Sequence, residues 1–208
     1  VLDPAFSGRY EPMKRDGLSP EEMRHLQAAY DGEVAHVDEE IGRLLAFMDR
    51  LGFRDRDVWV TSDHGEELRD HGRWGHGWRL YEEQTRIPLI SVQAGVPPAL
   101  SLRSARLVDV LPTVLTRLGI RAPPALRGVS LLSSAPPSPA YAESGFKGID
   151  LAALVDGDLK VIQSDVRGEL FDLVADPAEA HDLSTVRPTD HAAARERLAR
   201  ETPEAKGL

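Results

Sequence analysis

The chain has 208 residues, a formal net charge of -9 and no cysteine. Without Cys there are no disulfides, thiolate metal ligands or cysteine nucleophile within it, and an acidic balance with no basic block argues against nucleic acid or an anionic membrane as partner. An apolar content of 41% supports a packed core, yet no run approaches the roughly 20 apolar residues of a membrane span.

That length suits one large domain, or one domain with a smaller appendage. Val1-Leu2-Asp3-Pro4 has neither the basic start nor the apolar stretch of a signal peptide, and compartment and oligomeric state stay open. Residues 1–17 mix Pro, Gly and scattered charge without periodicity and read as an irregular lead-in. At Ser19-Pro20-Glu21-Glu22 a capping hydroxyl, a first-turn proline and two acids open a helix. Met23, Leu26, Tyr30, Val34, Val37, Ile41, Leu44 and Met48 then recur at steps of three and four, the stripe of a long amphipathic helix laid on a sheet. Gly32 and Gly42 each weaken it by about 1 kcal/mol relative to Ala, which suggests close packing or a break. Arg50-Leu51-Gly52 closes it with a cation and a glycine.

Asp57 to Ser62, short and β-branched, predicts a buried strand of a parallel sheet and half of a βαβ unit. Ile87 to Val92 is a second strand with Pro88 near its start. Val108 to Leu118 reads as a helix closed by Gly119, with Pro112 in the first turn if Asp109 is the cap. The Pro- and Ser-rich run from Arg121 to Pro139 marks a boundary between residues 1–135 and residues 140–208. Beyond it lie a strand at Ala140–Glu143, a hairpin of Leu151–Val155 and Leu159–Gln163 around Asp156-Gly157, and a strand at Leu170–Leu173. A helix from Ala192 to Arg200 follows, so the C-terminal part is a small antiparallel sheet with one helix. The expected class is α/β: part of a mostly parallel sheet flanked by helices, followed by that subdomain.

Val58-Trp59-Val60 runs into Thr61-Ser62-Asp63-His64-Gly65-Glu66-Glu67, which puts a carboxylate and an imidazole where α/β sheets place ligands. Asp63 offers a hard oxygen and His64 a neutral nitrogen, suited to a divalent cation that needs further donors from elsewhere. The alternative is an Asp capping the next element beside an exposed His. His71 and His76 extend the cluster, but the spacing matches neither a His-Glu-x-x-His helix nor a Cys/His finger, so zinc is weakly indicated. Trp74, Trp78 and Tyr81 offer either pocket walls or core packing.

The run Ser62-Asp63-His64-Gly65-Glu66-Glu67 through His71-Gly72-Arg73-Trp74-Gly75-His76-Gly77, with Leu80-Tyr81-Glu82-Glu83 and Arg86-Ile87-Pro88-Leu89-Ile90, resembles the sulfatases of the alkaline-phosphatase-like superfamily. Tyr30 to Leu45, Leu107 to Leu115, Leu126 to Leu132 and Gly168 to Leu183 are similar to other sulfatase segments, in the same order. The resemblance implies that residues 1–135 are the C-terminal part of a sulfatase catalytic domain, that Asp63 and His64 are ligands of Ca2+ (or of Mg2+ or another divalent cation), and that the substrate is a sulfated small molecule or glycan. Twelve residues after His64, where the family usually has a sulfate-binding Lys, this chain has His76. An imidazolium supplies the same charge but titrates near neutral pH, so a sulfate-binding or general-acid role for His76 would depend on pH. His71 is the second substrate-side candidate, with orientation of its neighbours as its other role. The family nucleophile is a formylglycine from a Cys/Ser-x-Pro-x-Arg motif. No such motif occurs here, and Ser134-Ala135-Pro136-Pro137-Ser138 lacks the Arg. The chain is thus expected to be a sulfatase fragment, inactive alone, whose nucleophile lies in an N-terminal half. The rival readings are a phosphodiesterase or phosphonate monoester hydrolase of the same superfamily, and a non-catalytic metal-binding module.

Overall fold

The computed structural model describes residues 18–92, 104–145 and 150–202; the expected lead-in over residues 1–17 lies outside them. Helix α1 (Pro20–Arg50) starts where the sequence predicts. Ser19 Oγ accepts from the Glu22 N–H at 3.2 Å, and Glu22 Oε2 accepts from the Ser19 N–H at 2.8 Å, a complete capping box. The helix runs unbroken through Gly32 and Gly42, and neither has a neighbour within 4 Å of where a Cβ would stand. The close packing inferred from those glycines is therefore absent among the described residues. The predicted stripe is real, but Val34, Val37 and Leu44 are each more than half exposed, and no residue of the helix is buried. Periodicity identifies the apolar face; it does not supply the surface that covers it.

Strand β1 (Val58–Thr61) corrects a second expectation. It pairs antiparallel with β4 (Leu89–Val92), Val58 opposite Val92 and Thr61 opposite Leu89, and is only half-buried. Between the two strands the chain does not make a βαβ crossover. It returns through two two-residue strands, β2 (Glu67–Leu68) and β3 (Trp74–Gly75), and the short helix α2 (Glu82–Thr85), and so meets its own start head to tail.

Helix α3 (Leu107–Arg117) begins one residue earlier than predicted and takes Arg106, not Asp109, as its cap. Asp109 sits inside the first turn, where its carboxylate accepts from Arg106 Nη2 at 2.7 Å and from the Val129 N–H at 2.8 Å. Pro112 consequently falls in the helix interior, where it cannot donate to the Val108 carbonyl. Gly128 passes so close to that carbonyl that a Cβ there would lie 1.8 Å from its oxygen.

Strands β5 (Ala140–Ser144), β6 (Leu151–Asp156), β7 (Leu159–Ser164) and β8 (Gly168–Asp172) form the predicted antiparallel sheet, and the structure sets them in sequential order. Alternation along the strands gives it two different faces. Leu154, Val161 and Leu170 face helix α4 (Pro188–Glu201), which starts four residues earlier than predicted and seals them with Leu198. Ala153, Ile162 and Phe171 face the other way and are covered by Leu80 and Tyr81, just before α2. The loop between β1 and β4 is thus one layer of the C-terminal core. Truncating Leu170, fully buried, to Ala should lower stability by about 2–5 kcal/mol, read from denaturant unfolding; a loss below about 1 kcal/mol would show that this core is not closed.

Candidate active site

Asp63, His64 and His76 line one cavity of about 840 Å³ between the β1–β4 loop and the β5 edge of the sheet. His64 Nε2 lies 3.7 Å from Asp63 Oδ2, and the rings of His64 and His76 are 4.0 Å apart between centroids. The local chain fixes both members of the Asp-His pair. Asp63 Oδ1 accepts from the His64 N–H at 3.0 Å, and Ser62 Oγ donates to the His64 carbonyl at 2.6 Å. His64 Nδ1 rests 2.8 Å from the Gly65 carbonyl, a contact that turns Nε2 toward Asp63. Backbone N–H groups of Asp63 and His64, with the adjacent imidazole, hold the Asp63 carboxyl below its ordinary value.

Gly65 has a steric reason to be glycine. A Cβ there would fall 2.1 Å from the Glu83 carbonyl oxygen, because the Gly65 N–H donates to the Gln84 carbonyl at 2.8 Å. His76 Nδ1 meets Glu66 Oε2 at 3.1 Å. Ser144 of β5 donates from Oγ to the Gly77 carbonyl at 2.6 Å, tying the loop after His76 to the sheet.

The donor set matches a hard divalent cation in kind. Asp63 and His64 give an oxygen and a nitrogen close enough together to serve one ion. In number they fall short of the six to eight donors calcium takes, and no group of three or more His, Cys, Asp or Glu side chains suited to a metal occurs among the described residues. The pair fits as part of a site whose other ligands come from elsewhere.

His71 does not line the cavity. Its ring stacks on Tyr81 at 3.7 Å, Nδ1 lies 2.8 Å from Glu83 Oε1, and Nε2 lies 3.3 Å from the Glu179 carbonyl. Both partners are acceptors, so both nitrogens must carry protons to satisfy them. Burial pulls the His71 pKa down, but the Glu83 carboxylate and the Glu179 carbonyl outweigh it and leave the value raised. His71 is a pin between the loop and the C-terminal segment. Of the aromatic residues, Tyr81 packs rather than walls the cavity. It is buried against Phe171, and its hydroxyl donates to Glu169 at 3.1 Å; burial and that carboxylate push its pKa up to about 12.

Several residues here carry no sequence signal. Lys160 is 1% exposed, with Nζ 2.9 Å from Glu82 Oε1 and 3.0 Å from Glu179 Oε1. Glu179 also accepts from the Glu82 N–H, while burial raises its pKa against the opposing pull of Lys160. The cavity is further lined by Arg79, Arg86 and Arg127, and Arg79 lies over the Tyr81 ring at 5.6 Å. Glu82, Glu143 and Glu201 line the same cavity, so these arginines stand among carboxylates beside the Asp-His corner.

Residues 3–120 match the model of the sulfatase family. The chain belongs to that family. The chain is 30% identical over 188 residues to arylsulfatase K of Mus musculus, covering 80% of the chain and 34% of that protein. It therefore spans about a third of the length of this relative. Among solved structures it is similar to BT4656, seen with its substrate D-glucosamine-2-N,6-O-disulfate, at TM-score 0.70 and 27% identity over 80% of the chain and 38% of the other. The fold is also that of the phosphonate monoester hydrolase of Agrobacterium radiobacter, at TM-score 0.76 and 24% identity over 87% of the chain and 42% of the other.

His71, with its raised pKa, contributes stability that is full below its unfolded value and lost as pH rises through the folded one. His71→Gln should therefore trail the parent by about 1.5–3 kcal/mol in acid, with the gap narrowing as pH rises through the raised folded-state value. Denaturant unfolding across that range checks this, and a gap independent of pH would remove the charge from the role of His71.

Proposed function

We propose that the intact protein hydrolyses a sulfate ester, with this chain supplying the cation-binding and proton-donating corner of the site. The reading is carried by the convergence of Asp63, His64 and His76 on one cavity in a chain of the sulfatase family. Asp63 Oδ2 and His64 Nε2 would hold a divalent cation, Ca2+ or Mg2+, together with donors from other sequence. When bound, the cation serves as a Lewis acid toward the sulfate oxygens. His76 as imidazolium offsets negative charge on the sulfate and gives its proton to the alcohol oxygen as the S–O bond breaks. Glu66 beside Nδ1 steadies that ring.

The attacking group is the family's formylglycine, placed outside these residues because the chain has no Cys and no Ser in the required motif. Residues 1–135 would then belong to the catalytic α/β domain and residues 140–208 to a subdomain packed on it. The parallel part of the sheet would lie beyond β1 and β4, a reading supported by their half-exposed faces and by the uncovered stripe of α1. The substrate class is a sulfated small molecule or glycan, supported by the arylsulfatase relative, the disulfated sugar bound by BT4656 and the arginines of the cavity. Among the described residues no helix is long and apolar enough to cross a membrane. The likeness in fold to a phosphonate monoester hydrolase keeps phosphate and phosphonate esters as a second reading. Comparing hydrolysis of aryl sulfate, phosphodiester and phosphonate esters by the intact protein discriminates them, and phosphonate turnover above sulfate turnover would reverse the order.

Asp63→Ala in the intact protein should weaken divalent-cation binding more than about 100-fold, beyond the cost of losing an outer support, and abolish turnover. Calorimetry giving an unchanged calcium affinity would refute the ligand role. His76→Lys should retain activity and lose less of it above neutral pH, since an ammonium stays charged where an imidazolium does not. A pH–rate profile identical to that of the parent would count against His76.

A further inference from the structure

His64 and His76 lie twelve residues apart in sequence, yet their rings are 4.0 Å apart. Neither is held by a long element, since the strands between them have two residues each. Each histidine is followed by a glycine, and both glycines bond to the same residue. The Gly65 N–H donates to the Gln84 main-chain carbonyl at 2.8 Å, and the Gly77 N–H donates to Gln84 Oε1 at 3.0 Å. Gln84 Nε2 in turn donates to Glu67 Oε2 at 3.1 Å, and Glu67 Oε1 accepts from the Arg73 N–H at 2.6 Å. Gln84 is 5% exposed and Glu67 is fully buried, so water cannot replace these bonds without reopening the loop. α2 therefore carries one side chain whose acceptor and donor ends are both fixed.

We propose that Gln84, anchored by Glu67, is the positioning residue that sets the separation of His64 and His76; its kinetic consequence rests on the sulfatase reading. Gln84 borders the same cavity as the two histidines, but both ends of its side-chain amide are taken up by the Gly77 N–H and Glu67. It acts through the backbone that follows each histidine. A leucine there would keep the bond from Gly65 but leave the Gly77 N–H and a Glu67 oxygen without partners, releasing the His76 side of the pair. A glutamate would keep the acceptor for Gly77 but set a second carboxylate against Glu67. Exchanging the two residues restores every bond with donor and acceptor reversed: Gln at 67 donates to Glu at 84 and still accepts from Arg73.

The test uses the intact protein with Gln84→Leu, with Gln84→Glu, and with the exchange Glu67→Gln/Gln84→Glu. Both single variants should lose about 100-fold in kcat toward an aryl sulfate, the order expected for a misplacement of ~1 Å. Their KM should stay within about threefold, because a placement defect acts on the chemical step. The exchange should recover most of kcat, and crystal structures should show the 4.0 Å ring separation kept in parent and exchange and widened in the single variants. Unchanged kcat and ring separation in Gln84→Leu would overturn the proposal, as would an exchange variant that melts like the parent yet stays as slow as Gln84→Glu. If Gln84→Leu does not fold, Gln84→Glu and the exchange decide. A parent inactive on sulfate, phosphate and phosphonate esters would refute the functional reading instead, and the ring separations alone would then judge Gln84.

Discussion

The seating of Leu80 and Tyr81 on Ala153, Ile162 and Phe171 is the contact on which the geometry of the cavity depends. The loop that carries Asp63, His64 and His76 has no core of its own. Its strands are two residues long and its helix is one turn. A loop of that kind gains order only by burying apolar side chains elsewhere, and a fully buried Leu or Tyr contributes about 1.5–3 kcal/mol to doing so. Once Leu80 and Tyr81 are down, α2 has a fixed place, and Gly65 and Gly77 reach the same residue of it.

Apolar burial places the segment but does not orient it; the polar contacts beneath α2 do. Glu179, in the C-terminal segment, meets the loop two ways: its carboxylate accepts from the Glu82 N–H and its carbonyl accepts a hydrogen bond from His71, while the same carboxylate pairs with Lys160 of β7. A charge as deeply buried as that of Lys160 costs several kcal/mol to desolvate, and two carboxylates roughly offset this. The net gain in stability is small, but the cluster closes in one arrangement only. The carboxylate partners of Lys160 lie at positions 82 and 179, so any slip of the loop along the sheet would take one of its two carboxylates away.

What the sequence made legible follows the range of the forces involved. Helix α1 was readable from Ser19 to Gly52 because cap, dipole and periodicity are all local, and the β6–β7 hairpin because its turn chemistry is local. The nearness of Asp63 to His64 was readable for the same reason. Strand direction was not, since Val58 to Thr61 has the same composition whether its neighbour runs parallel or antiparallel. His71 looked like a partner of His64 and His76 by proximity in the chain, but the acceptors that claim it, at 83 and 179, turn it toward the sheet. Gln84, Glu67 and Lys160 were invisible for a related reason. Gln84 and Glu67 stand among other polar residues and Lys160 is a lone cation in an apolar strand; each reads as surface, and only the partner across the fold shows that it is interior.

The double-faced sheet makes the far end of the chain a foundation rather than an ornament. Every side chain proposed to hold the cation or donate the proton lies before residue 80, and the strands that hold up their loop begin at residue 140. A premature stop codon near that boundary would delete no reactive group. It would leave Leu80 and Tyr81 facing solvent and His71 without the Glu179 carbonyl. Genetically, such a nonsense allele would be indistinguishable from damage to the catalytic corner itself.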